Sequence, residues 1–224
     1  MAGLCNPCGY SLDGYFFSEA RKKAVYKYMQ RQIDFIIDNF SGVVLMRQKR
    51  RFSWREKPYV AAAITPIGSF FNEYEYPQHL RLYTFNRLSE KIEEMDLENF
   101  YLFVEAHALD VISADENGYI DELEETINNM RFKVVVGVGL ESVDFVTREL
   151  LYCKGLSNED FEHAIKIIRE HDMIPAAFVF VGFFAQTQRE MVRDFEQTIA
   201  YLRNRKVIPI IMYVNLKQKT IYYE

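Results

Sequence analysis

Apolar positions along the chain follow two alternating rhythms. Short apolar runs at Tyr59 to Thr65, Phe100 to Ala106, Phe132 to Leu140, Pro175 to Val181 and Val207 to Asn215 read as buried strands. The run containing Val134-Val135-Val136 is the clearest of them. Between the runs, apolar residues recur every three or four positions, the spacing that lays one apolar stripe along a helix. Residues 18–40 carry such a stripe in Ala24, Val25, Tyr28, Met29, Ile33, Ile36, Ile37 and Phe40, and Ser41-Gly42 ends it. Pro77 suits the first turn of a second helix bearing Leu80, Tyr83, Leu88, Ile92 and Met95. A third follows the Asn117-Gly118 turn with Ile120, Leu123, Ile127 and Met130. A short helix from about Val143 to Leu151 comes next. Ser157 with Asp160, and Thr187 with Glu190, have the spacing of capping boxes, so a helix is expected after each.

This alternation implies parallel strands joined by right-handed helical crossovers, either in a barrel or in a doubly wound sheet. In both architectures chemistry gathers at the carboxyl ends of the strands. The polar residues at those ends are Ser69, Glu105, Glu141 and Asn215.

Composition narrows the picture. With 224 residues, 49% of them hydrophobic, the chain has enough material for the core of one large domain. A net charge of −5 gives no global attraction to nucleic acid, so such binding would have to be local. One local candidate is segment 47–57, where Arg47, Lys49, Arg50, Arg51, Arg55 and Lys57 surround Phe52 and Trp54. Basic groups among aromatics suit a phosphate backbone and stacked bases, although the plainer reading is a solvated loop. No apolar run has the roughly 18 residues of a transmembrane helix, and Met1-Ala2-Gly3-Leu4 is too short for a secretion signal. Three cysteines do not make a disulfide framework, so a cytoplasmic protein without membrane contact is expected.

Candidate chemistry starts at Cys5-Asn6-Pro7-Cys8. Two thiolates three residues apart can share a zinc ion, form a redox dithiol, hold part of an iron–sulfur cluster, or stay reduced without a task. Gly137-Val138-Gly139 after a strand is a partial dinucleotide fingerprint, but Ser142 replaces the third glycine and the strand is not the first of its unit. Glu105 and Glu141 fit either a glycosidase pair or two acids that each bind a donor. His79 and His107 are possible zinc partners, but hydrogen-bonded side chains are the more ordinary reading. His163 and His171 read as surface residues, and Cys153 as a small packed side chain.

Several of these stretches together resemble one family. Cys5-Asn6-Pro7-Cys8-Gly9-Tyr10-Ser11-Leu12-Asp13-Gly14 is similar to the end of the cluster motif of radical SAM proteins, in the branch of the archaeosine synthase radical SAM subunit and, more distantly, the Elongator catalytic subunit. Gly68-Ser69-Phe70 resembles the glycine-rich end of a strand in that branch, and Glu105 stands at its strand-end acid. Gly139-Leu140-Glu141-Ser142, followed by Lys154-Gly155-Leu156-Ser157 and Glu159-Asp160-Phe161, is the most specific match. Tyr213-Val214-Asn215 with Gln218-Lys219-Thr220 resembles the last strand and its exit.

The resemblance implies an α/β fold, a partial (β/α)6 TIM-like barrel forming one domain over residues 1–224, with the first strand and a third cluster cysteine expected upstream of Met1. It also implies a [4Fe–4S] cluster held by Cys5 and Cys8, and S-adenosylmethionine bound near Tyr10, Gly68, Ser69, Glu105 and Glu141. In that chemistry an electron donor reduces the cluster, and C–S cleavage yields a 5′-deoxyadenosyl radical. The implied setting is tRNA modification, with segment 47–57 as a tRNA contact. The departures are two motif cysteines where the family has three, Pro7 before the last of them, and Ala106-His107-Ala108-Leu109 after Glu105. A non-catalytic homologue serving as a binding subunit, and a small zinc or redox protein using Cys5 and Cys8, are the alternatives.

Overall fold

Strands and helices alternate as the apolar rhythms predict. The computed structural model describes residues 19–39, 60–65, 68–97, 99–128, 132–182 and 186–213. Cys5, Cys8, Tyr10, segment 47–57 and Asn215 lie outside them. In chain order the elements are α1 (Glu19–Asp38), β1 (Val60–Ile64), α2 (Gln78–Glu94), β2 (Phe100–Ala106), α3 (Ala108–Glu116), α4 (Tyr119–Asn128) and β3 (Phe132–Glu141). A π-helical segment (Val146–Leu151), α5 (Asn158–Glu170), β4 (Ile174–Val181), α6 (Gln188–Asn204) and β5 (Ile208–Tyr213) follow.

All neighbouring strands pair in parallel, in the order β1-β2-β3-β4-β5. Among the described strands the order never reverses, so they show no switch point of the doubly wound kind. The sheet curls instead into a half-barrel flanked by helices, a partial TIM-like barrel. Register divides the side chains by parity. Leu102, Val104, Val134, Val136, Val138, Leu140, Ala177 and Val179 point outward and are buried in one core with Leu80, Leu88, Ile120, Leu123, Phe161, Ile165 and Ile168 of the helices. Phe103 and Phe178 point inward and meet edge to face, with ring centroids 5.9 Å apart. Gly137 lies between them: a Cβ there would come within 2.5 Å of Phe103 and 3.0 Å of Phe178. No described helix is long and apolar enough to cross a membrane.

Local chemistry explains most element boundaries. Ser157 and Thr187 each form a full capping box, with Asp160 and Glu190 respectively. Gly182, at φ +87°, closes β4. Arg81, fully buried on α2, donates to the carbonyls of Phe70 at 3.1 Å and Tyr76 at 2.6 Å and to Gln78 at 2.8 Å, and pairs with Glu73. Burial lowers its pKa to about 10. These bonds fix residues 70–78 at the entrance to α2.

Two expectations are corrected. Residues 108–116 form α3, which the apolar rhythm does not announce. Its N-cap is His107, an uncommon capping residue, whose ring accepts a hydrogen bond from the Leu109 amide at 3.3 Å. His171 is not a surface residue: its side chain is 13% exposed and lies between carboxylates of α3 and α4. His163 is exposed, as expected.

Candidate active site at the strand ends

The carboxyl ends of the strands enclose a cleft of about 170 Å³ lined by Gly68, Glu105, Ala106, His107, Gly139, Glu141, Lys154, Phe178, Phe180 and Met212. Its size suits one end of a nucleotide-sized ligand, because pockets that enclose such molecules run to roughly 300 Å³ or more.

Glu141 is its centre. The β3–β4 register shifts between Gly139 and Glu141, and Glu141 takes φ +65°. An irregularity of this kind re-aims a side chain at a strand end, and a non-glycine residue at such a φ carries local strain of about 1–3 kcal/mol. Oε1 accepts a hydrogen bond from Lys154 Nζ at 2.7 Å, and the two side chains are 5% and 12% exposed. Oε2 is buried with no hydrogen-bond partner among the described residues. Gly139 makes room for this pair: a Cβ there would lie 2.5 Å from Lys154 Nζ and 2.8 Å from Glu141 Oε1. Steric clearance therefore accounts for both glycines of the Gly137-Val138-Gly139 stretch.

Lys154 is delivered by the segment after β3. Ser142 donates to Asp194 at 2.5 Å and accepts from the Asp144 amide, while the Val143 amide donates to Thr198. These bonds fasten the strand exit to α6. Arg148, buried in the π-helical segment, donates to the Ser142 carbonyl at 3.2 Å and to Asn158 at 2.5 Å. Its own carbonyl accepts from the Lys154 amide at 3.1 Å. Glu149 accepts from the amides of Gly155 and Leu156. With Cys153 at φ +51° and Gly155 at φ +65°, the chain turns sharply and sends Lys154 back into the cleft. Short π-helical segments of this kind recur at functional sites.

The opposite wall comes from β2 and the loop after β1. Burial, reinforced by the nearby Glu141 charge, raises the pKa of Glu105 above its ordinary value. Burial, then the Lys154 charge, lowers the pKa of His107, with Asp110 acting weakly the other way. The ring is therefore neutral at pH 7, in keeping with Nδ1 as the acceptor for Leu109. Ser69 is buried; its hydroxyl accepts from the His107 amide at 3.1 Å. The amides of Gly68 and Ser69 both donate to Glu75 Oε2, at 2.7 and 3.1 Å. Of the residues the sequence nominates, Gly68, Glu105 and Glu141 line the cleft, and Ser69 lies behind it.

Lys154, His107, Phe178, Phe180 and Met212 complete the lining. The sequence signal for the aromatics was the period-two spacing of Phe178 and Phe180 on one face of β4. Lys154 had only its place before Gly155. The glutamates are not an isolated acid pair, since one is held by a lysine. His79 is exposed on α2, its ring edge-on to Tyr26, and Cys153 is half-buried. With two carboxylates, one ammonium and a neutral imidazole, the cleft attracts ligand groups that donate hydrogen bonds or carry positive charge. Phe178, Phe180 and Met212 offer flat apolar contact to a ring.

No protein-family model matches this chain. It is similar to an uncharacterized protein of Methanocaldococcus jannaschii, 25% identical over 194 residues, which are 86% of this chain and 45% of that protein. The chain thus spans less than half the length of that relative.

Proposed function

We propose that this chain is a radical SAM protein that binds a [4Fe–4S] cluster and S-adenosylmethionine at the strand ends, with tRNA as the substrate class to test first. The observation that carries the reading is Glu141 Oε2, a buried carboxylate oxygen with no partner among the described residues, in a cleft with an aromatic wall. An orphan acceptor of this kind fits hydroxyl or ammonium donors of a ligand, and S-adenosylmethionine carries both beside an adenine ring. Cys5 and Cys8 supply thiolates to the cluster. When bound, the cluster and S-adenosylmethionine supply one-electron C–S cleavage and hydrogen abstraction, which require an electron donor as partner. The chain's own groups then act by position. Glu141 accepts from ligand donors while Lys154 fixes its orientation. Glu105 offers a second acceptor whose charge depends on pH. Phe178 and Phe180 exclude water beside the ring.

Two motif cysteines in the sequence favour a second reading, a binding subunit that keeps the half-barrel without a cluster. Anaerobic reconstitution separates the two. The first predicts about four irons and four sulfides per chain, lost on Cys5→Ala or Cys8→Ala. It also predicts S-adenosylmethionine binding in equilibrium dialysis, weakened at least tenfold by Glu141→Ala, about 1.4 kcal/mol. Stoichiometric zinc without iron refutes it in favour of a zinc or redox protein. Neither metal nor S-adenosylmethionine binding leaves the binding subunit. For tRNA, the expectation is salt-dependent binding weakened by replacing Arg50 and Arg51; unchanged binding removes segment 47–57 from the proposal.

A further inference from the structure

A cluster outside the cleft lining lies where α3, α4 and the turn after α5 meet. His171, the C-cap of α5, sets both ring nitrogens against carboxylates. Nε2 is 3.0 Å from Asp115 Oδ1 of α3, and Nδ1 is 2.5 Å from Glu124 Oε2 of α4. Asp121 Oδ1, also of α4, is 3.9 Å from Nδ1. The ring's neighbours in sequence are Glu170 and Asp172, both acidic. On its own helix, Lys166 is turned to Glu170 at 3.5 Å and Arg169 to the Arg205 carbonyl.

We infer that His171 is a proton-operated clamp: as imidazolium it ties both α3 and α4 to the α5–β4 turn, and on losing its proton it can hold only one of them. An ionised carboxylate only accepts, and a neutral imidazole has one N–H. Both contacts are hydrogen bonds together only when the ring carries two protons. The neutral ring must set a lone pair against one carboxylate. The position at a helix carboxyl end favours the cation further.

His171, Asp121 and Glu124 place donor atoms close enough to suggest a metal ion. Spacing argues for the proton. Ligands 2.0–2.1 Å from a tetrahedral ion stand roughly 3.3 Å apart, whereas Nδ1 and Glu124 Oε2 are at 2.5 Å, too close for two ligands of one ion and in direct hydrogen-bond contact.

The clamp has a route to the cleft. α3 packs on α5, is clamped near its carboxyl end at Asp115, and begins at His107, which lines the cleft. Release loosens the helix that holds that wall. The direction with pH follows from the charges. Burial opposes protonation, but the bonds to Glu124 and Asp115 outweigh it and raise the pKa of His171. A group raised in this way contributes its full stability below the unfolded value near 6.5 and loses it as pH rises through the folded value.

The test uses the whole chain stripped of metal with EDTA. Ring resonances, assigned with His171→Gln, are titrated by NMR, and amide exchange of residues 108–128 is compared at pH 6 and 8.5 after correction for intrinsic rates. The expected result is a His171 titration above the ordinary histidine range, moved down by Glu124→Gln. Exchange protection should fall severalfold more between the two pH values in the wild type than in His171→Gln. A wild-type titration at or below the ordinary range overturns the clamp even if the variants fail to fold. Equal pH dependence in His171→Gln also overturns it. Recovery of protection at pH 8.5 on adding Zn2+ overturns it in favour of a metal site.

Discussion

Removing the ammonium from the Lys154–Glu141 pair is the sharpest test of the strand-end site. Lys154→Met keeps the length of the apolar stem but leaves Glu141 without its charge partner. Both side chains are nearly buried, their charged atoms are 2.7 Å apart, and the second Glu141 oxygen already has no partner among the described residues. Breaking a buried pair from one side costs about 3–5 kcal/mol, because the remaining charge is stranded. Water entering the cleft relieves part of that, so the low end, about 3 kcal/mol, is expected. In a chain of this size each kcal/mol moves Tm by roughly 2–4 °C, giving a drop of roughly 6–12 °C at pH 7.5. Thermal denaturation followed by circular dichroism measures it. Glu141→Gln combined with Lys154→Met should recover most of the loss, since no buried charge remains. A single-variant drop below about 2 °C, or a double variant no more stable than the single, would refute the claim that a desolvated ion pair organises this cleft.

Other outcomes follow from the same geometry. Glu105→Gln should be more stable than the wild type at pH 7, because burial and the Glu141 charge disfavour the ionised carboxyl. That carboxyl contributes most below its unfolded value of about 4.5 and loses the contribution as pH rises through its raised folded value, so the gain should vanish near pH 4 in paired melting curves. Gly137→Val forces a branched side chain against Phe103 and Phe178 and should cost about 1–3 kcal/mol in urea denaturation. Arg81→Leu strands the Phe70 and Tyr76 carbonyls in the core and should cost about 3 kcal/mol or more, with no rescue by Arg81→Lys, which lacks the fork of donors. Ser157→Ala should cost about 1 kcal/mol through loss of the α5 capping box.

The alternation of elements was legible because each signal is local. A buried parallel strand such as Phe132–Glu141 needs a near-continuous apolar run, and a helix such as α5 needs a stripe opened by a cap; both are patterns of neighbours. α3 was hidden because a single residue separates it from β2, that residue is a capping histidine, and the helix buries the small side chains Ala108 and Ala114. His171 was misplaced because nothing near it in sequence announces Asp115 and Glu124, 56 and 47 residues away. Glu105 and Glu141 were readable as strand-end acids, since a charge closing an apolar run has few places to go. Their difference was not: only the backbone turn at Cys153 and Gly155 brings Lys154 to one of them and leaves the other half-buried without it.

The sequence by itself determined the five strands, most of the helices between them and the end of the sheet at which polar residues collect. These follow from periodicity and capping, which act over a few residues. The tertiary structure decided between barrel and doubly wound sheet, because strand order is a matter of which edges pair and leaves no mark in the apolar rhythm. It also decided the electrostatic character of the cleft and of the His171 clamp. Charge pairing depends on distances between segments far apart in the chain, and those distances exist only once the core has packed.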